Sequence, residues 1–381
     1  MNYRTKILHS GKDRDPHTGA SSIPIYQVST FAQDDPFEFG PYEYARGKNP
    51  TREALEHTVA SLESGKMGYA FASGMAAISS VLLLFKSGDH IIVAEDVYGG
   101  TYRALNTLFN RWGLKHTFVD MTDPDRIERA LLPGTKAIFA ETPSNPLLKI
   151  TDIRAVADIA KKRGLLTIID NTFMSPYFQR PLELGFDIVI HSATKFLGGH
   201  SDLIAGLVVA ADRTTGKKIQ SIQNTFGAIL GPQDSWLVLR GIKTLSARME
   251  AQERNAETIA QWLLDQPEVK AVYYPTLPSH PGREIHLSQA SGGGAVVSFD
   301  LGSRKITKHV LRNVKVPLMA VSLGGVESIL SYPATMSHAA MPEPERHARG
   351  ITDGLVRLSV GLEDPGDLCK DLAQAIRGAY K

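Results

Sequence analysis

A lysine preceded by two hydroxyl-bearing residues stands directly after a short apolar segment. The segment, residues 187–190, is predicted to be a strand, and the string that follows is His191-Ser192-Ala193-Thr194-Lys195. A lysine amine can form an imine with an aldehyde, and hydroxyl groups can donate hydrogen bonds to a phosphate. Lys195, Ser192 and Thr194 are therefore candidates for binding an aldehyde cofactor that carries a phosphate. A solvated loop lysine with ordinary capping residues is the competing interpretation.

A carboxylate ends another predicted strand earlier in the chain. Asp170 follows the apolar run 166–169 and precedes Asn171-Thr172. In an open, mostly parallel α/β sheet, functional residues lie at the carboxyl ends of the strands. Asp170 and Lys195 are therefore expected at the same edge of the sheet. A carboxylate there can keep a pyridine nitrogen protonated, which makes the ring an electron sink. An Asp in this position can also be an ordinary turn former.

Small residues at 73–77 join a predicted strand to a predicted helix. Gly74 and Met75 would expose backbone N–H groups at the helix N-terminus, where an anion is favoured. Many strand-to-helix turns share this composition, so the string is weak evidence by itself. The sequence contains no phosphate-loop, dinucleotide, G-x-S-x-G or H-E-x-x-H motif.

The elements that must position these residues alternate along the chain. Amphipathic segments separate short apolar runs at 69–72, 91–94, 137–140, 166–169 and 188–190. Fully apolar strands that alternate with helices predict an α/β fold with a mostly parallel sheet covered on both faces. Thr51 is the predicted N-cap of a helix that ends before Gly65.

The chain is expected to divide into three regions. Residues 1–50 lack a sustained hydrophobic period and are predicted to form an extended arm. Such an arm must be held in place by contacts with another part of the molecule. Residues 51–241 form the predicted large domain, and residues 242–381 a smaller C-terminal α/β domain. The boundary is placed inside a single long helix predicted over 234–265, and a strand is predicted over 295–300.

Composition excludes several functional classes. The 381 residues carry 42 Lys and Arg against 40 Asp and Glu, without a long basic run, which disfavours nucleic acid as a partner. Cys369 is the only cysteine, so a disulfide framework or Cys-based zinc site is excluded, and the histidines lack helical metal spacing. The longest apolar stretch, 75–85, is too short to cross a membrane, and the N-terminus does not resemble a signal peptide. These features predict a cytoplasmic protein without a bound metal.

Eight strings spread over nearly the whole chain resemble the Cys/Met-metabolism family of pyridoxal-phosphate enzymes. They are YEYARGKNPT at 42–51, FASGMAAI at 71–78, DVYGGTYR at 96–103, ETPSNP at 141–146, DNTF at 170–173, HSATKFLGGHSD at 191–202, SLGGVES at 322–328 and RLSVGLED at 357–364. The resemblance implies the aspartate-aminotransferase-type fold (fold type I), in agreement with the alternating pattern. It also implies pyridoxal 5′-phosphate as the cofactor.

The resemblance assigns roles at the cofactor ring. Lys195 would hold the cofactor as an imine and, once released by the substrate amine, would take the α-proton as general base. Asp170 would pair with the pyridine nitrogen. Tyr98 would stack on the ring and keep its hydroxyl near the substrate amine.

The resemblance also assigns the phosphate and the substrate carboxylate. The phosphate would be bound within the subunit by Gly74, Met75, Ser192 and Thr194. Tyr44 and Arg46 would reach the phosphate of the neighbouring subunit, which implies active sites shared across a dimer interface and a homotetramer built as a dimer of dimers. The α-carboxylate would be gripped by the forked donors of Arg357. Asn145 would assist at the cofactor oxygen and Ser322 at the carboxylate.

The resemblance favours β-elimination of L-cystathionine to homocysteine, pyruvate and ammonia, a step of methionine biosynthesis and transsulfuration. Val321 stands where γ-lyases and many γ-synthases carry glutamate, and SYPATMSHAAMP at 331–342 is typical of Gram-positive β-lyases. IYQVST at 25–30 and LLKITD at 147–152 are equally γ-lyase-like. A γ-lyase, γ-synthase or O-acetylhomoserine sulfhydrylase therefore stays open as the alternative. A catalytically inactive homologue and a sugar-modifying transaminase fit less well, because Lys195 and Arg357 are both present.

Overall fold

The computed structural model describes residues 1–10, 14–15 and 17–380. The helices of this part are α1 Tyr3–His9, α2 Pro50–Leu62, α3 Gly74–Leu82, α4 Gly99–Thr107, α5 Pro124–Arg129, α6 Ile153–Arg163, α7 Ser175–Phe178, α8 Arg213–Phe226, α9 Pro232–Ile242, α10 Leu245–Leu264, α11 Arg283–Gln289, α12 Arg304–Asn313, α13 Glu343–Ala348 and α14 Pro365–Gly378. The strands are β1 Met67–Phe71, β2 His90–Ala94, β3 Lys115–Val119, β4 Thr135–Glu141, β5 Leu166–Asp170, β6 Ile188–Ser192, β7 Gly206–Ala210, β8 Ala271–Tyr273, β9 Val296–Asp300, β10 Leu318–Met319, β11 Ile329–Ser331 and β12 Leu355–Ser359.

Seven strands form the larger sheet, in the order β1-β7-β6-β5-β4-β2-β3. The pairs from β6 to β3 are parallel, whereas β7 runs antiparallel to both β6 and β1. Every residue of β2 is buried, as expected for a strand covered on both faces. The predicted, mostly parallel sheet is therefore present, with β4, β5 and β6 ending side by side.

Two strands of this sheet, β3 and β7, were not predicted from the sequence. Strand β3 lies at the sheet edge and is mostly half-buried, so it lacks a continuous apolar run. Strand β7 is fully buried, but it follows β6 through a loop rather than a crossover helix. Without a crossover helix, the chain returns beside β6 and the β6–β7 pair is antiparallel.

The smaller sheet has five strands, in the order β10-β11-β12-β9-β8. The predicted strand at 295–300 is its β9, which is buried throughout. Apolar residues of α10 and α14 pack with this sheet in one core cluster. This sheet forms from residues after 270, and its strand β12 carries Arg357 to the larger sheet.

The single long helix predicted over 234–265 is two helices. Helix α9 ends at Ile242, and α10 begins at Leu245 after Lys243 and Thr244. The buried Arg248 guanidinium donates to the carbonyl of Gly241 at 2.8 Å and so bridges the break. A domain boundary near residue 242 coincides with this break and stays a prediction.

The arm is more structured than predicted, because α1 occupies Tyr3–His9. The N-cap of α2 is also different: the side chain of Asn49, rather than Thr51, accepts the first amides of the helix. The Thr51 hydroxyl donates to the carbonyl of Pro24 at 2.8 Å and accepts from the amide of Tyr26 at 2.9 Å. Thr51 thus holds the arm against α2 instead of capping it.

No helix in the described part of the chain has the length and apolar character needed to span a membrane.

Candidate active site

A cavity of about 460 Å³ opens at the carboxyl ends of β4, β5 and β6. Residues from distant parts of the chain meet there, because strand ends of the larger sheet and loops of the smaller sheet close it together. It is lined by all but two of the predicted site residues: Gly74, Met75, Tyr98, Asn145, Asp170, Ser192, Thr194, Lys195, Val321, Ser322 and Arg357.

The amine of Lys195 points into this cavity. Its Nζ donates to the Ser322 hydroxyl at 2.5 Å. Burial, and secondarily the positive charge of Arg357, lower the pKa of Lys195 to about 8. A lowered pKa raises the fraction of neutral amine near neutral pH, and the neutral amine is both the nucleophile and the proton acceptor.

The carboxylate of Asp170 ends β5 next to β6. The hydroxyl and the backbone amide of Thr172 both donate to Asp170 Oδ1, at 2.5 and 3.0 Å. Burial raises the pKa of Asp170, while the donors of Thr172 and the charge of His191 act in the opposite direction. A carboxylate that is buried but supplied with donors can hold a cationic ring nitrogen.

The turn from β1 into α3 forms an anion cradle beside Ser192. The hydroxyl of Ser73 caps α3 by accepting from the amide of Ala76 at 3.0 Å, which leaves the first N–H groups of the helix without an intrahelical partner. A Cβ on Gly74 would lie 2.9 Å from the Ser192 Cβ, so the close approach of helix and strand requires glycine. The Thr194 hydroxyl accepts from the amide of Ala205 at 3.0 Å.

Arg357 reaches the cavity from β12 as a buried guanidinium. Its Nη1 donates to Asn145 Oδ1 and its Nη2 to the Ser322 carbonyl, both at 2.8 Å. Among the described residues Arg357 Nε has no acceptor, and burial lowers the pKa of Arg357 to about 10. Asn145 and Ser322 therefore orient a cation that has donor capacity left for a carboxylate.

Tyr98 stands at the start of α4, and its amide donates to Glu141 Oε2 at 2.8 Å. Glu141 lines the cavity, and burial followed by the charge of Asp170 raises the pKa of Glu141 well above its usual range. A Cβ on Gly100 would lie 2.3 Å from the Tyr98 ring, so glycine gives that ring its space. Glu141 was missed in the sequence analysis, although it opens the string ETPSNP.

Tyr44 and Arg46 do not line the cavity of their own subunit. Tyr44 is 49% exposed, and the Arg46 guanidinium lies over its ring at 5.4 Å from the ring centroid. Arg46 Nε also donates to Asn224 Oδ1 at 3.3 Å. The predicted reach of both residues to a neighbouring subunit remains a prediction.

Further cavity residues were not singled out from the sequence. Arg103, on α4, contributes a cation that pairs with no carboxylate in the described ranges. The loop after β11 also lines the cavity, through Met336, Ser337, Ala339 and Ala340. The only available signal was the position of Arg103 at the end of DVYGGTYR, five residues after Tyr98.

Comparison with known proteins identifies the family of this chain. The family described as Cys/Met metabolism PLP-dependent enzyme matches residues 4–377. The chain belongs to this family. Its predicted cofactor, pyridoxal 5′-phosphate, is thereby confirmed.

Relatives of this family member carry two different names. The chain is 56% identical to cystathionine beta-lyase MetC of Bacillus subtilis over 373 residues, which cover 98% of this chain and 96% of the relative. It is 54% identical to cystathionine gamma-lyase of the same organism, covering 99% of both chains. The crystal structure of cystathionine gamma-lyase from Lactobacillus plantarum complexed with L-serine superposes with a TM-score of 0.97, at 48% identity and over 100% of both chains. The predicted fold and the class of PLP-dependent carbon–sulfur lyase are confirmed.

The cavity residues of this family member fit pyridoxal phosphate. Lys195 offers a half-buried amine with a lowered pKa, Asp170 a carboxylate, and the start of α3 an anion cradle that a Cβ at Gly74 would fill. The aldehyde, the ring nitrogen and the phosphate of the cofactor each have a matching group. We therefore retain the predicted roles of these residues as hypotheses.

Proposed function

We propose that this enzyme is a cystathionine β-lyase, which converts L-cystathionine and water into homocysteine, pyruvate and ammonia. One observation carries the proposal: the Lys195 amine lies beside Ser322, whose carbonyl holds the carboxylate-binding guanidinium Arg357. A proton acceptor and an anchor for an amino-acid carboxylate therefore share one edge of the cavity. The 56% identity to a protein named cystathionine beta-lyase supports the choice of substrate.

Lys195 is the candidate for moving the α-proton of a bound amino acid. A carboxylate on Arg357 would put the α-carbon near the Lys195 amine, and the Ser322 hydroxyl would steady that amine by its 2.5 Å contact. Pyridoxal phosphate, when bound, supplies the electron sink that makes this proton acidic. The same amine can then hand the proton to the sulfur as the bond between the β-carbon and sulfur breaks.

The distal end of the substrate extends towards α4 and the loop after β11. Cystathionine has a second carboxylate, and Arg103, which pairs with no carboxylate among the described residues, provides a cation in the cavity lining. The remaining wall, including Met336 and Ala340, is apolar and suits the methylene groups of a thioether. Arg103 is thus the candidate for orienting the distal amino-acid end.

Position 321 supports elimination at the β-carbon. Val321 is 66% exposed and lines the cavity, so its side chain is not merely a packing residue of the loop. Valine can neither relay a second proton at the β-carbon nor hold the distal ammonium group. A γ-lyase activity stays the second candidate, because relatives at 54% and 48% identity bear that name.

The proposed assembly is a homotetramer in the cytoplasm, built from dimers whose sites are shared. Neither Tyr44 nor Arg46 lines the cavity of its own subunit, and the buried arginine Arg52 donates to the backbone carbonyls of Ala45 and Arg46. An ordered cation with no role in its own site supports a role in the neighbouring one. Two-fold symmetry would make that contact reciprocal.

The product formed from cystathionine tests the proposed function. We expect pyruvate and homocysteine from the wild-type enzyme, with little 2-oxobutyrate. A product mixture dominated by 2-oxobutyrate would overturn the β-lyase assignment in favour of the γ-lyase. The ratio is measured by chromatography of the keto acids, and it does not depend on the amount of folded enzyme.

Val321→Glu tests the reason for that preference. The variant is expected to raise the 2-oxobutyrate fraction even if the total rate falls, since a carboxylate at this edge can relay the second proton. Val321→Gln is the matched control, because glutamine has nearly the same size as glutamate but lacks its titratable group. Equal product ratios in both variants would remove Val321 as the cause without changing the wild-type assignment.

A further inference from the structure

A hydrogen bond joins the start of helix α4 to the end of strand β4. The backbone amide of Tyr98 donates to Glu141 Oε2 at 2.8 Å. On the helix side, the Tyr98 carbonyl accepts from the amide of Tyr102 at 3.1 Å. Tyr98 is the N-cap residue of α4, and its own side chain makes no capping hydrogen bond. Glu141 therefore ties the first turn of α4 to the sheet.

The Tyr98 ring lies against the backbone of that same turn. A Cβ on Gly100 would overlap the Tyr98 ring, and a Cβ on Gly99 would overlap the carbonyl oxygen of Ser337. The turn is thus in close contact with the ring on one residue and with the loop after β11 on the next. Because the ring rests on its own turn, its orientation follows the backbone position that Glu141 fixes.

Glu141 occupies a place where a negative charge is unfavourable. It is in register with Asp170 on the neighbouring strand, and both carboxyl groups are buried and line the cavity. In the described part of the chain Glu141 forms no ion pair. Burial, followed by the charges of Asp170 and Asp96, raises the pKa of Glu141, and the Tyr98 amide and Arg357 only partly oppose this shift. A neutral acid, whose carbonyl oxygen still accepts a hydrogen bond, is the favourable form.

We propose that Glu141 is a positioning residue for Tyr98, which holds the Tyr98 ring in place for the cofactor through a hydrogen-bond acceptor and not through a negative charge. The inference rests on the proposed stacking of Tyr98 on pyridoxal phosphate. Glu141 Oε2 fixes the amide next to the ring, and the ring meets the cofactor from the first turn of α4. Without the acceptor the ring is still present but is less well oriented.

Three substitutions separate the acceptor from the charge. Apoenzyme is titrated with pyridoxal phosphate, and the dissociation constant and the circular dichroism of the bound cofactor are measured. Glu141→Gln keeps the side-chain length and an acceptor oxygen, so the dissociation constant should stay within about twofold of wild type. Glu141→Met has no acceptor oxygen, and Glu141→Asp keeps the carboxyl group but is one methylene shorter. Each of these two should weaken binding by about five- to tenfold and reduce the dichroism.

Removal of the ring tests whether Glu141 acts through Tyr98. In a Tyr98→Ala background the backbone amide remains and the ring is absent, so Glu141→Met should change the dissociation constant by less than about twofold. Glu95→Met is the matched control in the wild-type background. Glu95 is another carboxylate at this edge of the sheet, but it pairs with Lys149 at 2.9 Å and does not line the cavity. Its removal should leave the constant unchanged.

Several results would overturn the inference. If Glu141→Gln weakens binding as much as Glu141→Met, the charge matters and the acceptor alone is not sufficient. If Glu141→Met weakens binding equally with and without the Tyr98 ring, Glu141 supports the cavity without acting through that ring. If Tyr98→Ala binds pyridoxal phosphate as tightly as wild type, the proposed stacking is wrong and the inference falls with it. The β-lyase assignment is tested separately, by the product ratio.

Discussion

At the scale of the residue, Lys195 lies with its amine 2.5 Å from the Ser322 hydroxyl, inside a cavity closed by residues distant in sequence. Burial there, with the nearby charge of Arg357, lowers the pKa of Lys195 to about 8. An amine with this pKa is about one-tenth neutral at pH 7, several hundred times more than an ordinary lysine, to order of magnitude. The folded surroundings therefore make this lysine reactive.

The rate at which apoenzyme captures pyridoxal phosphate should follow this titration. The neutral amine is the reacting form, and a lowered pKa means that the neutral form accumulates as pH rises towards 8. We expect the capture rate, followed by stopped-flow absorbance, to increase with pH and to level off above about pH 8. A rate that continues to increase up to pH 10 would show that the Lys195 pKa is not lowered.

Removal of the amine should abolish turnover. Lys195→Ala loses the covalent attachment and the proton acceptor together, so the loss should be at least the roughly 10²–10⁴-fold typical of one acid–base group. Lys308→Ala, on the exposed face of α12, is the control and should retain wild-type turnover. The measurement is pyruvate formation from cystathionine, and normal turnover of Lys195→Ala would contradict the assigned role.

At the scale of the element, helix α2 contacts a different part of the protein at each of its two ends. In its first turn the buried Arg52 donates to the carbonyls of Ala45, Arg46 and Gly47, at 2.7, 3.1 and 3.0 Å. At its other end the C-cap residue Glu63 contacts His191 beneath β6. One helix thus contacts both the arm proposed for the neighbouring site and the strand that carries Ser192.

Replacing the Arg52 side chain should weaken the contact between α2 and the arm. Arg52→Lys keeps the charge but loses the fork that reaches three carbonyls, so the free energy of unfolding should fall by about 1.5–3 kcal/mol. Arg126→Lys, in a pair that is 54% exposed on the arginine side, should change it by about 0.5 kcal/mol or less. Urea unfolding measures both, and equal effects would show that Arg52 does not anchor the arm.

At the scale of the whole molecule, the proposed sharing of sites predicts complementation. Arg46→Ala should weaken cofactor retention, although Arg46 does not line the cavity of its own subunit. When Arg46→Ala subunits are mixed with Lys195→Ala subunits, about a quarter of the sites should regain activity. Half of the random dimers are mixed, and each mixed dimer has one intact site of two.

Subunit exchange is the necessary control for that experiment. Differently tagged subunits show exchange directly by co-purification. Demonstrated exchange without any return of activity would contradict shared sites, whatever the oligomeric state. Activity in the mixture above the sum of the separate variants would support them.

Much of the site could be predicted from the sequence because its residues follow strands. Apolar runs that alternate with helical segments build a parallel sheet, whose carboxyl ends must meet at one edge. Asp170 and Ser192 directly end β5 and β6, and Lys195 follows three residues later. Local order along the chain was therefore enough to bring these groups together.

What the sequence alone did not decide depends on contacts between distant segments. Glu63 and His191 are 128 residues apart, and nothing in either local pattern predicts that they meet. The antiparallel return of β7 and the break between α9 and α10 were missed for the same reason, since strand direction and helix continuity depend on tertiary packing. The sequence by itself determined which chemical groups the protein brings to the strand ends. The tertiary structure decided their ionisation and orientation, because burial and the fields of neighbouring charges exist only once the chain is folded.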